Sequence, residues 1–385
     1  MATSPVTAPP LGLYVHLPWC VRKCPYCDFN SHGARGAIPE SAYVDALLAD
    51  LAGEAQGLTG RVLQSVFLGG GTPSLFGPEA IARLLASIRR GIRCAPDMEV
   101  TLEANPGTVE RGRFAHYRAA GVNRLSIGVQ SFDDTLLARI GRIHTGTNAQ
   151  RAAEAAHGAG FGNLNLDLMY GLPGQTPEQA RADVVRACAL SPRHISHYEL
   201  TIEPHTPFGR QPPRLPDEAN LTTMLTRCQE VLARHGFMQY EVSAYAQPGQ
   251  RCRHNLNYWT FGDYLGIGAG AHSKLSEPRQ GRVRRLWRRK HPSDYLGHRG
   301  GAGWMAGART LSADDLRLEF MMNALRLIDG VPTDLYCART GLGRDSLTRF
   351  RRLAEARELL AANPERLVPT ELGRRFLDDL LGLAV

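Results

Sequence analysis

Three cysteines stand close together near the start of the chain, in "LGLYVHLPWCVRKCPYCDFNSH", residues 11 to 32. Cys20, Cys24 and Cys27 have the spacing C-x3-C-x2-C, and the position two past the third is Phe29. Thiolates are soft ligands that select zinc, Cu(I) or iron–sulfur clusters. Structural zinc normally closes with four protein ligands. The local fourth candidates are His16, inside an apolar run and so expected to point elsewhere, and His32. A 4Fe–4S cluster held by three cysteines instead leaves one iron open to an exchangeable ligand. The other five cysteines (Cys94, Cys188, Cys228, Cys252 and Cys337) are scattered and read as small buried hydrophobes. In a reducing cytosol eight such cysteines are not a disulfide framework.

A second set of polar residues closes a series of apolar runs. Gly69-Gly70-Gly71-Thr72-Pro73 follows "SVFL", Glu103-Ala104-Asn105-Pro106 follows "EVTL", and Gln130-Ser131 ends "RLSIGV". Asp167 lies inside "NLNLDLMYGLPG". Turn formation accounts for glycines such as Gly171 and Gly174. It does not account for Glu103, Gln130 or Asp167, since polar groups in apolar strands are costly unless paired. In parallel βα folds ligands bind beyond the carboxyl ends of the strands, and these groups sit there.

The elements that must position them follow from periodicity. Six short apolar runs start at residues 13, 65, 99, 124, 163 and 194. After the first, their spacing fits one strand, one helix and two loops, so the runs predict a parallel sheet. Between them "AYVDALLADLAGEA" carries Val44, Leu47, Leu48 and Leu51 at helical spacing. Helices are also predicted from Pro78 and from Pro177, each proline in the first turn, the second with Thr176 as N-cap. The predicted fold is α/β, a partial, open (β/α)6 barrel. The predicted boundaries are a flexible N-terminus over 1–10, the barrel over 11–210, a completing region over 211–310 that opens on the proline-rich "QPPRLP", and a small helical, winged-helix-like domain over 311–385.

Composition bounds the rest. The chain has 385 residues, 43% hydrophobic and 21% charged, which suits a globular protein of one large and one smaller domain. No run approaches a membrane span of about 18 apolar residues. "MATSPVTAPP" lacks the basic and apolar regions of a secretory signal, so the expected location is the cytoplasm. The formal net charge is +8, much of it in "RQGRVRRLWRRK", residues 279 to 290. That stretch reads as a solvated face, a surface for anionic carboxylates, or a nucleic-acid surface, and charge alone does not choose. No nucleic-acid partner is expected.

The cysteine loop, with Tyr26 before the last cysteine, resembles the motif of the radical S-adenosylmethionine superfamily, and "GGGTP", the glutamate of the third run and the six βα units agree with it. Taken with "FLGGGTPSLF", "EANPGT", "GVNRLSIGVQSF", "GRIHT", "NLDLMYGLPGQT" and "HYELTIEPHTPF", the loop resembles the oxygen-independent coproporphyrinogen III oxidase group, and more closely its haem-chaperone branch, over nearly the whole chain. The oxidase has a further cysteine where this chain has Phe29, and a longer segment before the motif than the 19 residues here. The resemblance implies that Cys20, Cys24 and Cys27 hold a 4Fe–4S cluster whose open iron is chelated by S-adenosylmethionine, reductive cleavage of which would give a 5′-deoxyadenosyl radical. It implies that Tyr14, Gly70 and Glu103 contact that S-adenosylmethionine. Tyr26, Gly71, Thr72, Gln130, Arg142 and Asp167 match positions that face a second one in the oxidase. "HNLNYW", residues 254 to 259, fits the branch's H-N-x-x-Y haem motif and implies haem at His254, Asn255 and Tyr258. Read without the resemblance, the same residues are a polar turn packed by Tyr258 and Trp259. The implied partners are haem and a haem-acceptor protein, such as a membrane-associated respiratory enzyme, with cluster and S-adenosylmethionine assisting transfer or homodimer formation. Oxidative decarboxylation of coproporphyrinogen III is the alternative function.

Overall fold

The computed structural model describes residues 8–298 and 301–384; most of the expected N-terminal tail lies outside the described residues. Twelve strands form one sheet: β1 Leu11–Leu17, β2 Leu63–Gly70, β3 Cys94–Ala104, β4 Arg124–Gln130, β5 Asn163–Tyr170, β6 His194–Glu199, β7 Met238–Glu241, β8 Ala244–Ala246, β9 Asp263–Ile267, β10 His272–Glu277, β11 Arg282–Arg288 and β12 Met305–Thr310. Their spatial order is β12-β11-β10-β9-β1-β2-β3-β4-β5-β6-β8-β7. Strands β1 to β6 pair in parallel, each beside the next in sequence. These are the six predicted runs. The sheet continues at both ends. β9 adds a further parallel strand on the free edge of β1, and β10, β11 and β12 follow antiparallel. β8 pairs antiparallel with β6, and β7 with β8.

The strands read as near-continuous apolar runs because helices cover one face and the barrel interior the other. Val15, Leu68, Leu102, Ile127 and Leu166 are fully buried. Helices Glu40–Ala55, Pro78–Gly91 and Pro177–Ala189 pack on the outside, the last with a Thr176–Gln179 capping box that satisfies two otherwise orphaned N–H groups.

A separate apolar cluster, built on Phe320, Met321, Tyr336, Phe350 and Leu367, organises the C-terminal part. Its helices are Ala313–Ala324, Thr333–Thr340 and Thr348–Ala356, then two short ones, Glu371–Arg375 and Leu377–Gly382. Two strand pieces, Val331–Pro332 and Arg366–Leu367, pair antiparallel. The helix Thr348–Ala356 stops short of the apolar Leu359 and Leu360. There the chain turns through Glu358 at φ 57°, which buries Leu359 and Leu360; apolar burial overrides helix continuity.

The basic stretch at 279–290 is mostly β11, and four of its seven basic residues are paired with carboxylates inside the protein. Arg282 and Arg284 pair with Glu277, Arg285 with Glu319, and buried Arg288 with Asp50 and Glu54. These four arginines therefore do not form a free anionic-ligand surface. No helix among the described residues is long and apolar enough to cross a membrane.

Candidate functional site

The carboxyl ends of β1 to β6 open on a cavity of about 710 Å³. The chain leaves β1 through Pro18 and wraps the cysteine loop over this mouth. Cys20, Cys24 and Cys27 all line it and are half-buried. The loop is pinned by Cys27 N–H to Cys24 O at 3.2 Å and by Ser31 Oγ, 3.7 Å from Cys27 Sγ. Arg142 reaches Cys24 Sγ at 3.8 Å while donating to Asn105 Oδ1 and Gly128 O. Burial pushes the thiol pKa values of Cys20 and Cys27 up.

The turn after β2 forms the near wall. Gly70 has φ 116°, and a Cβ there would lie 2.5 Å from the His16 ring; a Cβ on Gly71 would lie 2.5 Å from Trp19 O. Only glycine fits either place. Gly70 N–H donates to Glu103 Oε2 at 3.1 Å, and Thr72 Oγ1 accepts from Asn105 Nδ2 at 2.7 Å.

The far wall carries Glu103, Gln130 and Asp167. Burial, reinforced by the neighbouring Asp167, raises the Glu103 pKa to about 7. Asp167 is raised by burial too, against hydrogen bonds from Ser126 and Asn165. Two carboxyls in one sheltered wall favour a cationic ligand between them. Gln130 sits at φ 68°, and its Oε1 accepts from Tyr198.

Eleven of the sequence-predicted residues thus meet around one cavity: the three cysteines, Tyr26, Gly70, Gly71, Thr72, Glu103, Gln130, Arg142 and Asp167. Tyr14 stands outside the lining. Its hydroxyl donates to His16 Nδ1 at 2.9 Å, because His16 Nε2–H donates to Asn30 O.

His254, Asn255 and Tyr258 lie elsewhere. They belong to helix Arg253–Trp259, which packs at the amino ends of the strands. His254 is 2% exposed. Its Nδ1 bonds Ser65 Oγ at 2.8 Å, and its ring stacks on Phe67 and meets Tyr258 edge-on. Burial lowers its pKa to about 3. Among the described residues Nε2 has no hydrogen-bond partner, the one feature here that a metal would suit. Glu99 accepts from the N–H groups of Arg253 and His254, which anchors the helix start. Cys252 is fully buried beside Glu99, its thiol pushed up to about 12.

Several cavity residues had no role assigned from the sequence, among them Asn105, Tyr198 and Arg326. Asn105 and Tyr198 stand in quoted motifs without a role assigned. Arg326 comes from beyond helix Ala313–Ala324, pairs with Glu241 at 3.2 Å and lies over the Trp259 ring. Nothing local in "LRLIDG" marks it.

The radical SAM superfamily matches residues 14–185, and the HemN C-terminal domain matches residues 311–376. A protein named "Heme chaperone HemW" from Escherichia coli K12 is 47% identical over 378 residues, covering 98% of this chain and 99% of the relative. The chain belongs to the HemW family. A HemW from Haemophilus influenzae is 46% identical, with 97% and 98% covered, and one from Mycobacterium tuberculosis H37Rv is 37% identical, with 98% and 95% covered. Among solved structures, the coproporphyrinogen III oxidase HemN of Escherichia coli, described as a radical SAM enzyme, superposes with a TM-score of 0.83 at 23% identity, over 98% of this chain and 90% of that one. That likeness gives HemW and HemN a common fold.

The cavity fits the group this superfamily carries. It offers three thiolates of one loop, two carboxyls on the opposite wall, and a glycine turn that leaves its backbone bare.

Proposed function

We propose that the protein is a haem chaperone which binds haem and passes it to an acceptor protein. In this reading Cys20, Cys24 and Cys27 hold a 4Fe–4S cluster, and S-adenosylmethionine occupies the cavity beside it. Bound there, the pair supplies a switchable, redox-active centre. The protein's own groups do the holding. The Gly69–Gly71 backbone and Glu103 take the amino group, with Tyr14 behind them. Tyr26, Thr72, Gln130, Arg142 and Asp167 shape the remaining volume. The observation that carries the reading is the meeting of all three cysteines with Gly70, Glu103 and Asp167 around one cavity, in a chain of HemW type.

Phe29, 62% exposed at the loop surface, stands where the oxidase-type motif has its extra cysteine, and this favours the chaperone over coproporphyrinogen oxidation. The cytoplasm is the proposed location, and the acceptor would be a haem-dependent protein such as a membrane-associated respiratory enzyme. We assign residues 11–210 to the barrel, 211–310 to its completing region and 311–385 to the C-terminal domain.

Anaerobic reconstitution with iron and sulfide, then loading with haem, tests the function. Expected are one haem per chain, transfer to an apo-acceptor, and no protoporphyrinogen from coproporphyrinogen III with reductant and S-adenosylmethionine. Turnover of coproporphyrinogen, or absence of haem transfer, would refute it.

A further inference from the structure

The three most exposed large apolar side chains among the described residues stand on or beside the cysteine loop. They are Ile143 at 63%, Phe29 at 62% and Val21 at 58% exposed. Val21 and Phe29 belong to the loop itself. Ile143 follows Arg142, whose guanidinium reaches Cys24 Sγ at 3.8 Å, and a Cβ on the preceding Gly141 would touch Pro25. The core uses none of the three. Apolar groups left in water singly are ordinary, but gathered around one loop they mark a contact surface.

Cations surround these apolar groups. Arg22, Lys23, Arg35 and Lys290 are all exposed, and among the described residues none of them pairs with a carboxylate. Hydrogen bonds hold them at the loop. Lys23 Nζ donates to Phe29 O at 2.8 Å, and Asn30 Nδ2 donates to Lys290 O at 2.8 Å. Ala34 N–H donates to Cys20 O at 2.8 Å, which sets Arg35 beside the start of the loop. Lys290 thus differs from Arg282, Arg284, Arg285 and Arg288 of the same basic stretch, which carboxylates already neutralise. The one acid between Cys20 and Arg35 is Asp28. An apolar centre inside a charged rim is the build of a protein-contact surface.

What lies beneath the surface selects its occupant. A redox-active cluster on Cys20, Cys24 and Cys27 must receive its electron from outside, and electron tunnelling weakens steeply with distance. S-adenosylmethionine would take the inner, cavity side, so the outer face of the loop is the short way in. A second copy of the chain docked through the same patch would set cation against cation, which is repulsive. We propose that this face receives a small acidic protein that donates single electrons to the cluster. The inference rests on the cluster reading and adds the partner that the cluster needs. One electron leaves the donor's reduced flavin or iron–sulfur centre and enters the cluster. The donor is left oxidised by one electron, and no bond is made or broken in the transfer. Encounters of this kind are brief, bury less than about 1,200 Å² and depend on charge for their speed.

The full chain, with its cluster reconstituted, is mixed anaerobically with an acidic flavodoxin held as the hydroquinone, and cluster reduction is followed by stopped-flow absorbance. Illuminated deazariboflavin, a small uncharged reductant, is the comparison. Reduction by flavodoxin should be second order and should slow as salt is raised, because screening removes the attraction. Arg35→Glu combined with Lys290→Glu should slow it by about tenfold or more, and Phe29→Ser severalfold. Reduction by deazariboflavin and the iron content of the cluster should stay unchanged in both variants. A flavodoxin rate that neither salt nor the double substitution alters overturns the proposal. So does an equal loss with deazariboflavin, which would place the effect in the cluster itself. If the double substitution abolishes self-association in sedimentation, or binding to phosphatidylglycerol vesicles, with the flavodoxin rate intact, the face belongs to that other occupant and the proposal falls. Failure of the unaltered chain to assemble a cluster at all would instead overturn the cluster reading.

Discussion

The two ends of the barrel carry the same kinds of residue and use them differently. At the carboxyl ends, Cys20, Cys24, Cys27, Glu103 and Asp167 surround open volume, and burial holds the two carboxyls above their ordinary pKa against the opposing charge of Arg124. At the amino ends, Ser65, Glu99, Cys252 and His254 are nearly all hydrogen-bonded to one another and packed without space. Both ends are rich in motif residues. The first turns its polar groups toward open volume, whereas at the second His254 Nε2 lacks a hydrogen-bond partner among the described residues but is enclosed. At the amino ends the motif histidine also ties the floor together, through Ser65, Phe67 and Tyr258.

The contrast can be broken by substitution. Replacing any of Cys20, Cys24 or Cys27 by serine should abolish cluster iron almost completely, measured as iron per chain after reconstitution, while the melting temperature of the unloaded chain changes little because the loop is half-exposed. At the other end the order should invert. Glu99→Ala leaves the N–H groups of Arg253 and His254 buried without an acceptor, which costs about 2–4 kcal/mol; denaturant unfolding should report it with the reconstituted iron content preserved. A loss of iron without loss of stability there would erase the distinction between the two ends.

Glu103→Gln should weaken S-adenosylmethionine binding by tenfold or more, about 1.4 kcal/mol, with stability unchanged or raised. The sign follows from its pKa of about 7 in the folded chain. An acid raised above its unfolded value favours the fold below about pH 4.5 and loses that contribution as pH rises through 7. A cationic ligand needs the ionised form, so affinity should climb between about pH 6 and 8 with proton release, a dependence that calorimetry in two buffers would detect and that E103Q should lack. The smallest effect is Ser65→Ala, expected to cost about 1 kcal/mol through the lost bond to His254 and to leave both iron and S-adenosylmethionine binding intact.

Much of this protein is written locally. The C-x3-C-x2-C loop, the glycines after β2, and the lone polar residues Glu103, Gln130 and Asp167 in apolar strands all announce a ligand site, because solvation makes such groups unfavourable in a core without purpose. Six apolar runs at regular spacing announce the parallel strands, since side-chain periodicity and loop length leave few other arrangements. Tertiary structure alone decided the rest. It joined β9 to the free edge of β1 from some 250 residues away, brought Arg326 from the C-terminal part into the barrel mouth, and matched the arginines of β11 to Glu277, Glu319, Asp50 and Glu54. It also buried His254 of "HNLNY" against Phe67 and Tyr258, and set His32 in edge-to-face contact with His291, more than half the chain away. Sequence carries the chemical type of a side chain; exposure and the partner on its second nitrogen depend on what the fold packs around it.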